Sequence, residues 1–156
     1  TSTIQDDIKT VDFNLACKVT FSEFPIFHPY PGTELGEYCK EKKMFNSSYD
    51  SLHMSYMHIS PLTSFTAEDK VIQQNLGELA TVVVAFPFLR NIILKHMIYW
   101  PHNFLFFLLY YLVKAYLVTF KIYPFRYNLK TLYQMAVKSI RLEKFKHSNE
   151  SMKRKN

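Results

Sequence analysis

Six histidines, two cysteines and thirteen Asp and Glu residues are the side chains in this 156-residue chain that could bind a metal or move a proton. Spacing decides what chemistry is open to them. A zinc site built on one helix needs histidines at i and i+4. No HxxxH or HExxH occurs, and His53 and His58 are five apart, which turns them to different faces of a helix and to opposite faces of a strand. No metal ligand set is therefore expected. Glu34, Glu37 and Glu41 share one helical face at i, i+3, i+7, and with Glu23 they are the carboxylates that could act as acid or base. A solvated face with capping value accounts for those three more simply. Cys17 and Cys39 read as buried free thiols. No GxGxxG, P-loop, GxSxG or Ser/His/Asp order is present, so no self-sufficient catalytic site is expected. His28 is singled out by position: it falls where an expected strand ends, the place where (β/α) barrels build active sites. A hydrogen-bonded turn histidine is the plainer reading.

The elements that would position these groups centre on the stretch Phe24 to Phe45, FPIFHPYPGTELGEYCKEKKMF. Val19 to Phe27 mixes β-branched and aromatic residues as a short strand does, with Pro25 marking a start or bulge. The chain then turns through His28-Pro29-Tyr30-Pro31-Gly32, stiff at its prolines and permissive at Gly32. Thr33 follows as an N-cap, Glu34 and Glu37 suit the positive end of a helix, and Lys40, Lys42 and Lys43 gather near the other end. The unit reads strand, rigid turn, short helix.

The run Pro29-Tyr30-Pro31-Gly32-Thr33-Glu34-Leu35, preceded by an apolar segment and followed by a Lys-rich helix end, resembles the late-barrel segment of cobalamin-binding radical SAM enzymes. The resemblance covers Ile4 to Lys43 well and the rest in general character. It implies the C-terminal portion of such a protein: an α/β fragment, the end of a partial (β/α) barrel, followed by a mostly α-helical region. It also implies that Phe27, His28, Pro29 and Tyr30 line the SAM or substrate side, while Pro31, Gly32 and Thr33 hold the turn. In that family a 4Fe–4S cluster on a CxxxCxxC motif cleaves S-adenosylmethionine to a radical, with cobalamin often serving methyl transfer. Two cysteines 22 residues apart cannot supply three such thiolates. The cluster, S-adenosylmethionine and cobalamin are therefore expected in missing N-terminal portions. Alone, this chain is expected to be inactive, with a small molecule or lipid as the whole protein's substrate.

Composition fits a folded chain: 48% of residues are hydrophobic and only three are glycine. The polar opening TSTIQDD is no secretory signal, and the absence of an initiator Met suits a fragment; a cytoplasmic setting is expected. The net charge of +6 includes six Lys and Arg in 141–156 against two Glu. A solvated terminus explains that tail better than nucleic acid does. The organisation expected is a barrel-like unit at 1–45, an irregular lid or connector at 46–65, a helical region at 66–147 and a basic disordered tail at 148–156.

Ile4, Ile8, Val11 and Leu15 give a first helix over Thr3–Lys18, with a loose capping signal at Thr3 and Asp6. Leu52, Met54, Tyr56 and His58 alternate as in an extended lid. Thr66 with Asp69 opens a helix that Pro87 stops; Phe88 to Trp100 reads as a second amphipathic segment with Leu89, Ile92, Ile93, Met97 and Trp100 on one side. A last helix is expected from Asn128 to about Lys146, facing Leu129, Leu132, Tyr133, Ala136, Val137 and Ile140 inward. Between these, Phe104 to Phe120 is nearly all apolar. At 1.5 Å per residue it reaches about 26 Å, short of a hydrocarbon core of about 30 Å, and Lys114 sits mid-span. A helix buried in the core or at a dimer contact is preferred, with interfacial membrane contact and then a true span behind it. The competing function is a non-enzymatic helical module that binds a partner or a membrane.

Overall fold

The computed structural model describes residues 3–45 and 59–123, with Asn128, Lys130, Thr131, 133–135, Val137 and Lys138 beyond them. Four polar caps start its main helices. Thr3 and Asp6 form a reciprocal capping box at the head of α1 (Ile4–Ala16), and Thr66 with Asp69 does the same for α3 (Ala67–Ala85). α2 (Glu34–Glu41) begins on Thr33, whose hydroxyl accepts from the Gly36 amide. Asn103 accepts from the amides of Leu105 and Phe106 to open α5 (Phe104–Leu117), which runs into a π turn at Val118–Ile122.

Between α3 and α5 the chain does not form the continuous amphipathic segment expected over Phe88–Trp100. It breaks into a 3-10 turn at Pro87–Leu89, a short α4 (Arg90–Lys95) and another 3-10 turn at Met97–Tyr99. The inward face is Ile93, Leu94 and Ile98, whereas Ile92 and Trp100 are exposed. Pro87 starts the first turn and the tight geometry of 3-10 segments rotates the face away from a 3.6-residue stripe.

α3 is the centre. Its buried run from Gln74 to Val84 meets Val11 of α1 on one side and Phe106, Val113 and Leu117 of α5 on another. Arg90 ties α4 to α1 through two hydrogen bonds to the Asp12 carboxylate, each 2.6 Å.

Helix accounts for 67% of the described residues and none of them lies in a strand. The expected α/β fragment, the end of a partial barrel, is thus not what the chain forms; it is mostly helical. Residues 20–29 make no helical or ladder hydrogen bond, and the stretch through Ser22, Phe24 and Ile26 lies along α3. The Thr81 hydroxyl donates to the Ser22 carbonyl at 2.9 Å, and Gly77 leaves room for the Phe24 carbonyl, which would stand 3.1 Å from a Cβ there. The letters that suggest a strand have another cause. Phe21 and Phe24 pack on the core and Ile26 is buried. Strand propensity measures fit to a half-buried surface, and a helix can supply that surface as well as a neighbouring strand.

The chain divides into two units, Thr1–Ile122 and Tyr123–Asn156. In the second, the described residues from Lys130 to Lys138 are helical, and the Asn128 side chain accepts from the Lys130 amide at 3.2 Å. Tyr133, expected to face inward, is exposed, while the expected alternation at Leu52, Met54, Tyr56 and His58, the inward positions Leu129, Leu132, Ala136 and Ile140, and the tail at 148–156 lie outside the described residues.

Candidate functional site

The corner between residue 27 and α2 is built by local backbone chemistry. Pro31 and Gly32 occupy the middle of the turn from Tyr30 to Thr33, and Gly32 has φ +74°, a conformation that costs glycine nothing. Thr33 works in both directions: its hydroxyl donates to the Tyr30 carbonyl at 2.8 Å and accepts from the Gly36 amide at 3.1 Å. Gly36 is the residue that sequence reasoning passed over. A Cβ on it would stand 2.0 Å from the Tyr30 carbonyl oxygen, so the turn can fold back onto α2 only because that position has no side chain. The signal was present as one of three glycines in the chain, placed in the first turn of a helix where glycine is otherwise disfavoured.

The four residues expected to line a pocket part into two pairs. His28 and Pro29 turn inward; the His28 Nδ1–H donates to the Ile26 carbonyl at 2.9 Å, and Nε2 has no partner among the described residues. Phe27 and Tyr30 turn outward, Tyr30 to 60% exposure, and Leu35 and Tyr38 of α2 are exposed beside them. Phe27, Leu35, Tyr38 and Cys39 also line a cleft of about 470 Å³, with Glu23 and Gln73 among its other lining residues. The Gln73 side chain donates to Asp7 at 3.2 Å, while its own carbonyl oxygen has no partner among the described residues. The cleft is largely apolar and its aromatic rim belongs to the corner.

Two carboxylates that meet polar partners near the α3–α5 seam behave in opposite ways. Glu23 accepts from the Tyr110 hydroxyl at 2.9 Å and from the Lys114 ammonium, which also donates to Tyr110 at 3.2 Å. Burial pushes the Glu23 carboxyl up, but the hydrogen bonds from Lys114 and Tyr110 and the Lys114 charge outweigh it and hold it below the usual range. Glu78, nearly fully buried on α3, is pushed up by burial, and its hydrogen bond with His102 at 3.1 Å does not undo that. Its second oxygen and the Asn75 side-chain oxygen lack partners among the described residues, although Asn75 donates to the carbonyls of Ile98 and Trp100 at 3.0 and 2.7 Å. The partners of Glu23, Glu78 and Asn75 were not foreseen, because each lies more than 20 residues away in sequence.

Glu34, Glu37 and Glu41 lie exposed along α2. Cys39 is buried but Cys17 is exposed, correcting the expectation of two buried thiols; Cys17 follows the last turn of α1 on its outer side. No group of three His, Cys, Asp or Glu side chains comes together among the described residues. The two cysteines of the sequence are fewer than the three thiolates that such an iron–sulfur cluster needs. His53 and His58 lie outside the described residues.

No family model, curated protein or solved structure matches the chain.

Proposed function

We propose that this chain is the C-terminal part of a cobalamin-binding type radical SAM protein, acting as a helical closing element over one side of a S-adenosylmethionine or substrate pocket whose chemistry resides in portions outside it. The motif PYPGTEL suggests the family. The observation that carries the role is the corner's exposed rim: Phe27, Tyr30, Leu35 and Tyr38 stand out around a turn that is itself rigidly held. Apolar side chains on a stiff turn suit a surface that closes against another body, because little conformational freedom is lost when it docks. Phe27 and Tyr30 would face the adenosine or substrate, with Pro31, Gly32 and Thr33 keeping them in place; His28 and Pro29 would support them from within. The residues described here hold no cluster, so no step of the reaction is assigned to them.

The native polypeptide that carries this sequence decides the matter. Purified without air and given S-adenosylmethionine and a reductant, it should contain a CxxxCxxC upstream, iron and cobalamin, and it should release 5′-deoxyadenosine. A native polypeptide with neither the motif nor iron, releasing none, would leave a non-enzymatic helical module as the better reading.

A further inference from the structure

Among the described residues, one side of α5 is covered and the other is exposed. Phe106, Tyr110, Val113 and Leu117 pack inward, whereas Phe104, Leu105, Leu108, Leu112, Tyr116 and Phe120 are 41% to 69% exposed. At 3.6 residues per turn Phe104, Leu108, Leu112 and Tyr116 form one continuous stripe. It carries no charge, because Lys114, the single ionised side chain from Phe104 to Phe120, is bonded to Glu23 instead. The patch extends past the helix through ring contacts. Phe120 lies 5.7 Å from Tyr116, Tyr116 is 6.5 Å from Phe86, and Phe86 is 6.2 Å from Phe88, which is 81% exposed. Apolar surface this continuous marks a protein or membrane contact.

Charge says which. The unit that carries α5, Thr1–Ile122, holds ten Lys and Arg against eleven Asp and Glu, but only cations follow Glu78 within it: Arg90, Lys95, Lys114 and Lys121. From Leu79 to Leu142 there is no carboxylate side chain at all. Where α5 ends, at Leu117, a cleft of about 380 Å³ is lined by Lys18, Lys121, Asn14 and Thr20 together with Pro87, two cations and no acid. Cations beside an apolar, aromatic face complement a surface that is anionic outside and oily beneath.

We propose that the outer face of α5, with Phe88 and Phe120, settles into the headgroup–acyl boundary of an anionic phospholipid bilayer, the helix lying in the plane and Lys18 and Lys121 meeting headgroup phosphates. The run Phe104–Ile122 is long and apolar enough to cross a bilayer. Crossing would carry the Glu23–Lys114 pair and the buried Glu78 and Asn75 of α3 into hydrocarbon along with it, which is far costlier than lying flat. Binding of this kind needs no cofactor and is independent of the radical SAM reading.

Flotation of the full chain with vesicles of phosphatidylcholine alone, or with phosphatidylglycerol added, tests it. The chain should float with the anionic vesicles, dissociate as salt is raised and be released by alkaline carbonate. Lys121→Glu should weaken that binding at least about fivefold, as loss of one cation near an anionic surface requires. Leu112→Asp, with Leu105→Asp as a second variant should the first lose helicity, should abolish flotation with the circular dichroism unchanged. Failure to float with either vesicle, flotation unaffected by these substitutions, or retention after carbonate would overturn the proposal. So would a stable dimer in solution that Leu112→Asp dissociates, since the face would then belong to a second copy.

Discussion

α3 and α5 are the two longest helices among the described residues, and hydropathy and burial are inverted between them. α3 carries Gln74, Asn75, Glu78 and Thr81 in its buried run, yet it is enclosed by α1, α5 and the turns around α4. α5 is apolar on nearly every side, yet half of its surface is open. Hydropathy alone does not decide which helix goes inside. α3 is enclosed because its polar groups find fixed partners, such as the Ile98 and Trp100 carbonyls for Asn75 and the Ser22 carbonyl for Thr81. Its small residue Gly77 also lets an irregular segment lie close. The inward polar groups of α5, the Tyr110 hydroxyl and the Lys114 ammonium, both meet Glu23, and satisfying them fixes which side faces in. The remaining side is left for something else.

The contrast breaks most completely at Leu117, where α5 meets the core at 4% exposure. Leu117→Asp would bury an unpaired carboxylate and should cost on the order of 3–5 kcal/mol in urea unfolding. A smaller loss would mean that the seam opens easily. Asn75→Ala, which removes the donor to two carbonyls inside α3's enclosure, should cost about 2–4 kcal/mol by the same measurement. A change close to zero would show that these bonds do not hold the turn at 98–100.

Lys114→Met sharpens the comparison from the α5 side and should cost about 1–2 kcal/mol near neutral pH, since the pair is only partly buried. The sign of its pH dependence follows from Glu23. A carboxyl held below its ordinary value of 4.5 contributes stability that is present above that value and is lost as pH falls through the folded one. The gap between wild type and Lys114→Met should therefore close on the acid side, and a gap that widens there would contradict the pairing. Glu78 works the other way: raised by burial, it contributes most below 4.5 and loses that contribution as pH rises.

Local chemistry was legible in the letters where it acts within a few residues. Pro31, Gly32 and Thr33 specify a turn and a cap with no outside help, and Thr66 with Asp69 marks the start of α3. Partnerships made through the fold were not. Glu23 and Lys114 are 91 residues apart, Asp12 and Arg90 are 78 apart, and nothing in either sequence neighbourhood names the other. The segment 19–27 misled for a related reason, because its β-branched and aromatic residues answer to a helix surface rather than to a paired strand. The same applies to the corner: its shape could be read, but not that His28 and Pro29 turn inward while Phe27 and Tyr30 turn out.

The claim that α5 is packed on one face and free on the other meets its most direct test at Leu112, 59% exposed on the outer stripe. In urea unfolding of the full chain without lipid, Leu112→Asp should lie within about 0.5 kcal/mol of wild type, as substitutions on an uncovered surface do. A loss of about 2 kcal/mol or more would show that the outer face is already packed within the chain, and both the inversion and the lipid contact would fall with it.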